Sequence, residues 1–263
     1  MPKDIRVLVV TEDPFVRNWM TFLVVRDWRT RVIGEMEGKA DLQVFFKNSA
    51  ERADVILIDT DGLEVSGWLG QIRESLAMMR NPPVILCVGL RADGQVLHQA
   101  AQPGYVGYLL KNEIRYSLAW AVSLSVGGYW VMTPGVESLL AEAGVDLPGK
   151  SLILDGRVPM YDFTESEARV ARLALLFSVE RRDMADELKI SKAWSYGVVS
   201  GIYDKMGMES ILNGQVDPTE FLGDNPLVLA HLKEIVQRLG NSRKAQDMET
   251  LAFHLLTMPE IRN

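Results

Sequence analysis

The first half of the chain alternates short apolar runs with longer segments of helical spacing. The runs Ile5–Val10, Arg31–Glu35, Val55–Asp59, Val84–Val88 and Gly107–Leu110 predict five strands. Helices are predicted between them near Pro14–Val25, Leu63–Met79 and Gly94–Ala101, with Glu113–Val126 closing the series. Near-continuous Val, Ile and Leu runs suit strands buried on both faces, and their alternation with helices predicts a parallel, doubly wound α/β sheet. The functional edge of such a sheet is formed by the carboxyl ends of its strands. From about Val131 to Asp162 the periodicity fades, and Pro134, Gly135, Gly144, Pro148, Gly149, Gly156 and Pro159 interrupt the chain, which predicts a linker.

Three helices are predicted next, over Glu165–Phe177, Arg182–Leu188 and Lys192–Met206. Thr164 with Glu167 three residues on reads as a capping box, and Ser191 as the N-cap of the third helix. A loop over Asp217–Asn225 precedes two amphipathic helices, Leu227–Leu239 and Arg243–Thr257. In the first, Val228, Leu232, Ile235 and Leu239 share one face; Leu251, Leu255 and Met258 repeat the spacing, and a Gly240-Asn241-Ser242 turn joins the two into an αα-hairpin. The expected division is an α/β domain over 1–130, a linker over 131–162, a helical domain over 163–208 and a helical extension over 209–263.

Composition narrows the function classes. The apolar run after Met1-Pro2-Lys3-Asp4 is too short for a signal peptide or a membrane span, so a soluble, cytoplasmic protein with no membrane partner is expected. The single cysteine, Cys87, lies within an apolar run and reads as a buried inert thiol. His98, His231 and His254 are isolated in sequence and show no ligand spacing. A net charge of −7 argues against a broad nucleic-acid surface but permits a local basic patch. No Gly-rich phosphate loop, catalytic triad signature or metal motif appears, so neither an enzyme nor a cofactor is expected.

Three segments carry a resemblance in the first half: Ile5 to Arg17 with Thr11-Glu12-Asp13, Ala53 to Asp59, and Gly107-Tyr108-Leu109-Leu110-Lys111, with Gly67 after the central loop. In order and separation they resemble the receiver domain of two-component response regulators, which implies a flavodoxin-like fold. The resemblance implies Asp59 as phosphoacceptor, Lys111 as its cationic partner, Glu12 as the second of two magnesium-binding acids and Tyr108 as the aromatic switch position. Thr11 stands where the first acid belongs, Val88 where a Ser or Thr would bond the phosphate, and Leu63 where the loop has proline. Magnesium favours charged oxygen ligands and phosphoryl transfer needs positioned donors, so the pocket reads as degenerate. Asp13 or Asp61 can compensate for the missing acid. The alternative is that Asp59 and Lys111 form a structural ion pair while Glu12 caps the following helix or accepts from Lys111.

The last helix of this half carries a second apolar stripe, Tyr116, Trp120 and Leu124, at four-residue spacing. It predicts a homodimer interface through the receiver; the alternative is that the linker folds over it. Further on, Phe163 to Met208 resembles the LuxR-type helix-turn-helix in Thr164, Glu167, Val170, Leu173, Ala185, Leu188, Ile190, Ser191, Ile202, Lys205 and Gly207, with one residue inserted around Phe177–Arg182. The chain is therefore similar to LuxR/NarL-type response regulators with a pseudo-receiver, and the resemblance implies double-stranded DNA as a partner. Lys192, Ser195, Tyr196, Ser200 and Lys205 are the side chains expected to meet DNA.

Trp194 can stack on a base or pack in the core, and Gly197 and Gly201 allow close approach to a phosphate backbone or to another helix. Charges from Glu180 to Lys205 cancel. The extension from Glu209 carries eight carboxylates against five Lys and Arg, which suits a protein partner or self-association better than DNA. It can equally cap its own core. Three readings stay open at this point: a DNA-binding regulator with a degenerate receiver, an interaction module that has lost DNA binding, and an ordinary phosphorylated regulator.

Overall fold

The computed structural model describes residues 5–48, 52–62, 65–77, 79–92, 94–146, 149–158, 161–213, 225–239 and 245–263. Two compact units are formed, one from Met1–Val158 together with Pro259–Asn263, the other from Pro159–Met258.

The first unit is a doubly wound sheet in the order β2-β1-β3-β4-β5-β6-β7-β8. Its strands are β1 (Ile5–Val10), β2 (Thr30–Met36), β3 (Val55–Asp59), β4 (Val84–Gly89), β5 (Tyr105–Leu110), β6 (Trp130–Met132), β7 (Ser151–Asp155) and β8 (Glu260–Arg262). All neighbours are parallel except β7 and β8. The first five strands follow the flavodoxin-like order, with the switch point between β1 and β3. β3 is buried at every position, as its unbroken apolar run requires of a central strand. Leu8, Ile56, Ile58, Ile85, Cys87 and Tyr108 lie at the centre of the core, joined by Trp130, Met132, Val136 and Ile153 from the later elements.

The helices of this unit are α1 (Pro14–Arg26), α2 (Lys39–Asn48), α3 (Val65–Ala77), α4 (Gly94–Ala100), α5 (Lys111–Ile114), α6 (Leu118–Val126) and α7 (Pro134–Glu142). Asp13 caps α1, accepting from the amides of Phe15 at 2.7 Å and Val16 at 3.2 Å. The cap, one of two roles left open for Glu12, falls to Asp13, which is engaged in it rather than in the pocket. The helix α2 was not predicted. Its Val44, Phe45 and Phe46 run consecutively instead of at helical spacing, and only Leu42 is buried outright.

The single helix expected over Glu113–Val126 is broken. Arg115 takes a left-handed φ of 45° between α5 and α6. The buried Glu113 side chain is drawn away from the helix axis: it accepts from the amide of Gly135 at 2.8 Å and pairs with Arg157 at 2.8 Å. Arg157 also pairs with Asp155, whose carboxyl it holds below its ordinary value through a side-chain hydrogen bond that outweighs the cost of burial.

These contacts explain why 131–162 is not the linker the Pro and Gly residues suggested. The segment supplies β6, α7 and β7 to the sheet, with Pro134 at the first turn of α7, where a missing amide costs nothing. Gly107 admits β6 alongside β5. At its φ of 153° a Cβ would stand 2.0 Å from the carbonyl oxygen of Val131. β8 then adds the last five residues to this unit, so the extension expected over 209–263 is divided between the two units.

The second unit is helical: α8 (Glu165–Ala171), a π-helical turn (Arg172–Leu176), α9 (Arg181–Leu188), α10 (Lys192–Lys205), α11 (Met208–Asn213), α12 (Pro226–Leu239) and α13 (Ala245–Leu256). The predicted capping box is formed, with the Thr164 amide donating to Glu167 at 2.8 Å and the Glu167 amide to Thr164 at 3.3 Å. A π-turn absorbs one extra residue within a helix, and here Phe177 N donates to Arg172 O five residues back, just before the expected insertion. Lys189, at φ 54°, ends α9, Ser191 caps α10, and Gly207, at φ 63°, follows its end. Asn225 caps α12 through the amides of Leu227 and Val228. Val228, Leu232, Ile235, Leu251, Leu255 and Met258 are buried as their spacing predicts. Leu63, residues 217–224 of the predicted loop and the Gly240–Ser242 turn fall outside the described residues. No helix among the described residues is long and apolar enough to cross a membrane.

Candidate functional site

The carboxyl ends of β1, β3 and β5 bring Thr11, Asp59 and Lys111 together, as the switch-point geometry demands. Asp59 is 1% exposed, and both its oxygens are engaged. Lys111 Nζ lies 2.6 Å from Oδ1, which also accepts from the amide of Asp61 at 3.1 Å. Thr11 Oγ1 donates to Oδ2 at 2.8 Å. The neutral hydroxyl found in place of an acid is thus a ligand of Asp59 itself.

Asp61 completes the cluster. It pairs with Lys111 at 2.8 Å and accepts from the amide of Leu90, which ties the end of β3 to the loop after β4. The second acid near Asp59 is therefore Asp61, and Lys111 stands between the two carboxylates. Glu12 is exposed at the surface. Such an arrangement does not fit a magnesium ion: the cation position between the carboxylates is filled by an ammonium group. Among the described residues no three acidic, histidine or cysteine side chains converge on a metal site.

Val88 is fully buried and pairs with Asp59 across β3 and β4, so its apolar side chain stands on the face of the sheet that carries Asp59. Gly89 lies on the opposite face, where a Cβ would run into Thr60 Oγ1 and Tyr108 Oη. Tyr108 is fully buried; its hydroxyl donates to Arg91 O at 2.8 Å and hydrogen-bonds to Thr60. At the opposite edge of the sheet Arg6 clasps Asp54 through Nε and Nη2. Burial raises the Asp54 carboxyl, and hydrogen bonds from the Arg6 side chain and amide, with its charge, overcome this and hold it below its ordinary value.

The stripe expected to form a dimer interface is not an open surface. Trp120 is 2% exposed, with the Arg29 guanidinium 5.2 Å from its ring centroid, and Arg29 also donates to Ser123 at 2.9 Å. α6 packs on α1, and Tyr116 and Leu124 are half-buried. Four-residue spacing detected a second buried face but could not say what covers it.

On α10 the structure separates the five residues expected to meet DNA. Ser195 is fully buried and donates to Lys192 O at 2.7 Å, so it belongs to the interior face with Val199 and Ile202. Lys205 is held by Glu167 at 2.8 Å. Lys192, Tyr196 and Ser200 are exposed, and so is Trp194. Gly197 and Gly201 face open space, since a Cβ at either would meet nothing within 4 Å.

The lysine hydrogen bond comes first among the causes that depress Glu167 to about 2, followed by the Thr164 amide. A carboxyl lowered on folding contributes stability above its ordinary value of 4.5, and that contribution is lost as the pH falls from there towards 2. Lys205→Met is expected to flatten the acid limb of a thermal stability profile over this window, as read by circular dichroism. An unchanged limb would show that the pair stores no folding free energy.

Sequence reasoning missed one side-chain pair. His231 on α12 and His254 on α13, isolated in sequence, meet with Nε2 and Nδ1 3.2 Å apart. Only the folding together of the two helices reveals it. Cys87 is fully buried, and burial pushes its thiol well above the ordinary range, as an inert thiol requires.

No protein-family model matches the chain. The probable transcriptional regulatory protein NarL of two Mycobacterium tuberculosis strains is 26% identical over 141 residues, 53% of this chain and 63% of the relative. The chain is a homologue of the LuxR/NarL-type response regulators. It spans less than two thirds of those NarL proteins in this match. Among solved structures, the signal receiver domain of Mycobacterium tuberculosis NarL is 24% identical, covering 48% of this chain and 99% of that one, with a TM-score of 0.40. A response regulator RcsB of Salmonella typhimurium is 16% identical, covering 88% and 98%, with a TM-score of 0.46. The fold of this response-regulator homologue rests on the strand order and register described above.

Proposed function

We propose that the chain is a cytoplasmic, DNA-binding transcriptional regulator whose receiver-like unit works without phosphoryl transfer to Asp59. The saturation of Asp59 by Lys111, Thr11 and the Asp61 amide carries this reading. A carboxylate that accepts a phosphoryl group must present a lone pair to the donor, and transfer needs cations and donors arranged around the phosphorus. Here Lys111 bridges two acids, and the β4 residue paired with Asp59 is Val88, which offers no hydroxyl. The similarity to a transcriptional regulatory protein supports the regulatory half of the proposal.

DNA contact is assigned to the exposed N-terminal part of α10, with Lys192, Tyr196 and Ser200 nearest the groove and Trp194 beside them. Ser195 takes no part, and Lys205 acts through its hold on Glu167. In the expected result, Lys192→Ala lowers the affinity for DNA selected from a random library and reduces the slope of log affinity against log salt by about one ion, the value for one phosphate contact. Unchanged affinity and slope would remove α10 from the interface.

A second reading, an interaction module without DNA, is favoured by one observation. Trp194 and Tyr196 are 46% and 55% exposed on a helix whose only other cation besides Lys192 is engaged by Glu167. Failure to select any DNA, with retention of a protein partner, would decide for it.

A further inference from the structure

Within the second unit, α9, α10, α11 and α13 line a cleft of about 450 Å³, to which α9 contributes Arg181. Small-molecule sites commonly occupy roughly 300–1,000 Å³ and combine an apolar body with a few convergent polar groups. The floor here is apolar: Val199 and Leu212 are buried and Met248 is half-buried. Tyr196 and Tyr203 form an aromatic wall, and Asp204, Glu209 and Glu249 outnumber Arg181 in charge.

The cleft already holds one cation of the protein's own. The Arg181 guanidinium lies 5.9 Å from the centroid of the Tyr196 ring, and its Nη2 is 3.8 Å from Glu249. The first distance is near the outer reach of a cation–π contact, about 6 Å. The second is too long for a hydrogen bond. The partners gathered here suit a cation; the guanidinium in place donates to Tyr203 but approaches Glu249 only to 3.8 Å. The Tyr203 phenol reports the same field: burial first and the Glu249 charge second push it up to about 12, against the pull of Arg181.

We propose that this cleft binds a small organic cation, a guanidinium, amidinium or protonated amine carried on an apolar body. The charged head takes its place between Glu249, Glu209 and the tyrosine rings. The body lies on Val199, Leu212 and Met248, apolar surface that water otherwise covers. An anion is repelled by three carboxylates against one guanidinium. A neutral molecule of the same shape leaves the carboxylates with no new partner. Because Tyr196 and Ser200 stand on the helix assigned to DNA, occupancy of the cleft reaches that helix directly. That the cleft binds a cation does not rest on the DNA-binding reading.

The test is calorimetric titration of the full chain with benzamidine, with benzamide as the neutral isostere and benzoate as the anion. Benzamidine is expected to bind saturably at one site, and the other two not at all. Glu249→Gln is expected to weaken benzamidine about tenfold, the loss of one charge-assisted contact. Arg181→Met, which removes the competing cation, is expected to tighten it. Circular dichroism of each variant confirms the fold, and Glu209→Gln provides a second acid should Glu249→Gln melt early. Absence of saturable benzamidine binding would overturn the proposal. So would equal binding of benzamide, or benzamidine binding that neither acid substitution weakens.

Discussion

Intact protein treated with acetyl phosphate and magnesium is expected to show no added phosphoryl group by mass spectrometry. The physical reason lies in the order of contacts around Asp59. Its two oxygens accept from an ammonium, a hydroxyl and an amide, and the residue is 1% exposed. A donor would have to displace Lys111 from one side or Thr11 from the other before attack could begin. Magnesium finds no pair of free carboxylates, because Asp61 shares the same ammonium and Asp13 caps α1. Thr11→Asp alone is not expected to restore acceptance, since it leaves Lys111 bridging and Val88 without a hydroxyl. A full, Asp59-dependent shift in mass would show that the ion pair opens readily and that the pocket is not degenerate in practice.

The second large effect is on stability. Lys111→Met is expected to cost about 3–5 kcal/mol in chemical denaturation, the usual penalty for removing one partner of a buried ion pair. It strands two carboxylates, one of them almost fully buried. Asp59→Asn is expected to cost distinctly less, because Lys111 keeps Asp61 at 2.8 Å and the amide can still accept from Thr11. The double variant should then lose less than the sum of the two, as coupled partners do. Equal and additive losses would mean that the three charges do not act as one cluster.

Much of the fold was legible because the central strands are continuous apolar runs. Val55–Asp59 reads as an interior strand, and the receiver resemblance placed the pocket at its terminal Asp. The helical unit was legible through its punctuation: Thr164, Glu167, Ser191 and Gly207 each occupy the cap or terminus that its chemistry suggests. Illegible elements share a different character. β8 contains one apolar residue, Ile261, and exists because β7 offers it a free edge. β6 and β7 hid among Pro and Gly residues that mark turns inside the unit rather than a tether between units.

At the site, sequence named Asp59, Lys111 and Thr11 and offered an Asp59–Lys111 ion pair as one alternative, but it could not show that Thr11 bonds to the same carboxylate. The roles expected of Trp120 and Ser195 failed for a common reason. Spacing identifies a helical face, and only packing decides whether that face meets solvent or the interior.

The central claim is that this protein finds specific DNA without phosphorylation of Asp59. Genome-wide crosslinking of the intact chain in its native cell, beside the Asp59→Asn variant at equal abundance, tests it most directly. The account predicts discrete enriched sites that are the same for both proteins and that are lost on Lys192→Ala. Absence of discrete sites for the unaltered protein, or their disappearance in Asp59→Asn while the fold is retained, would contradict it.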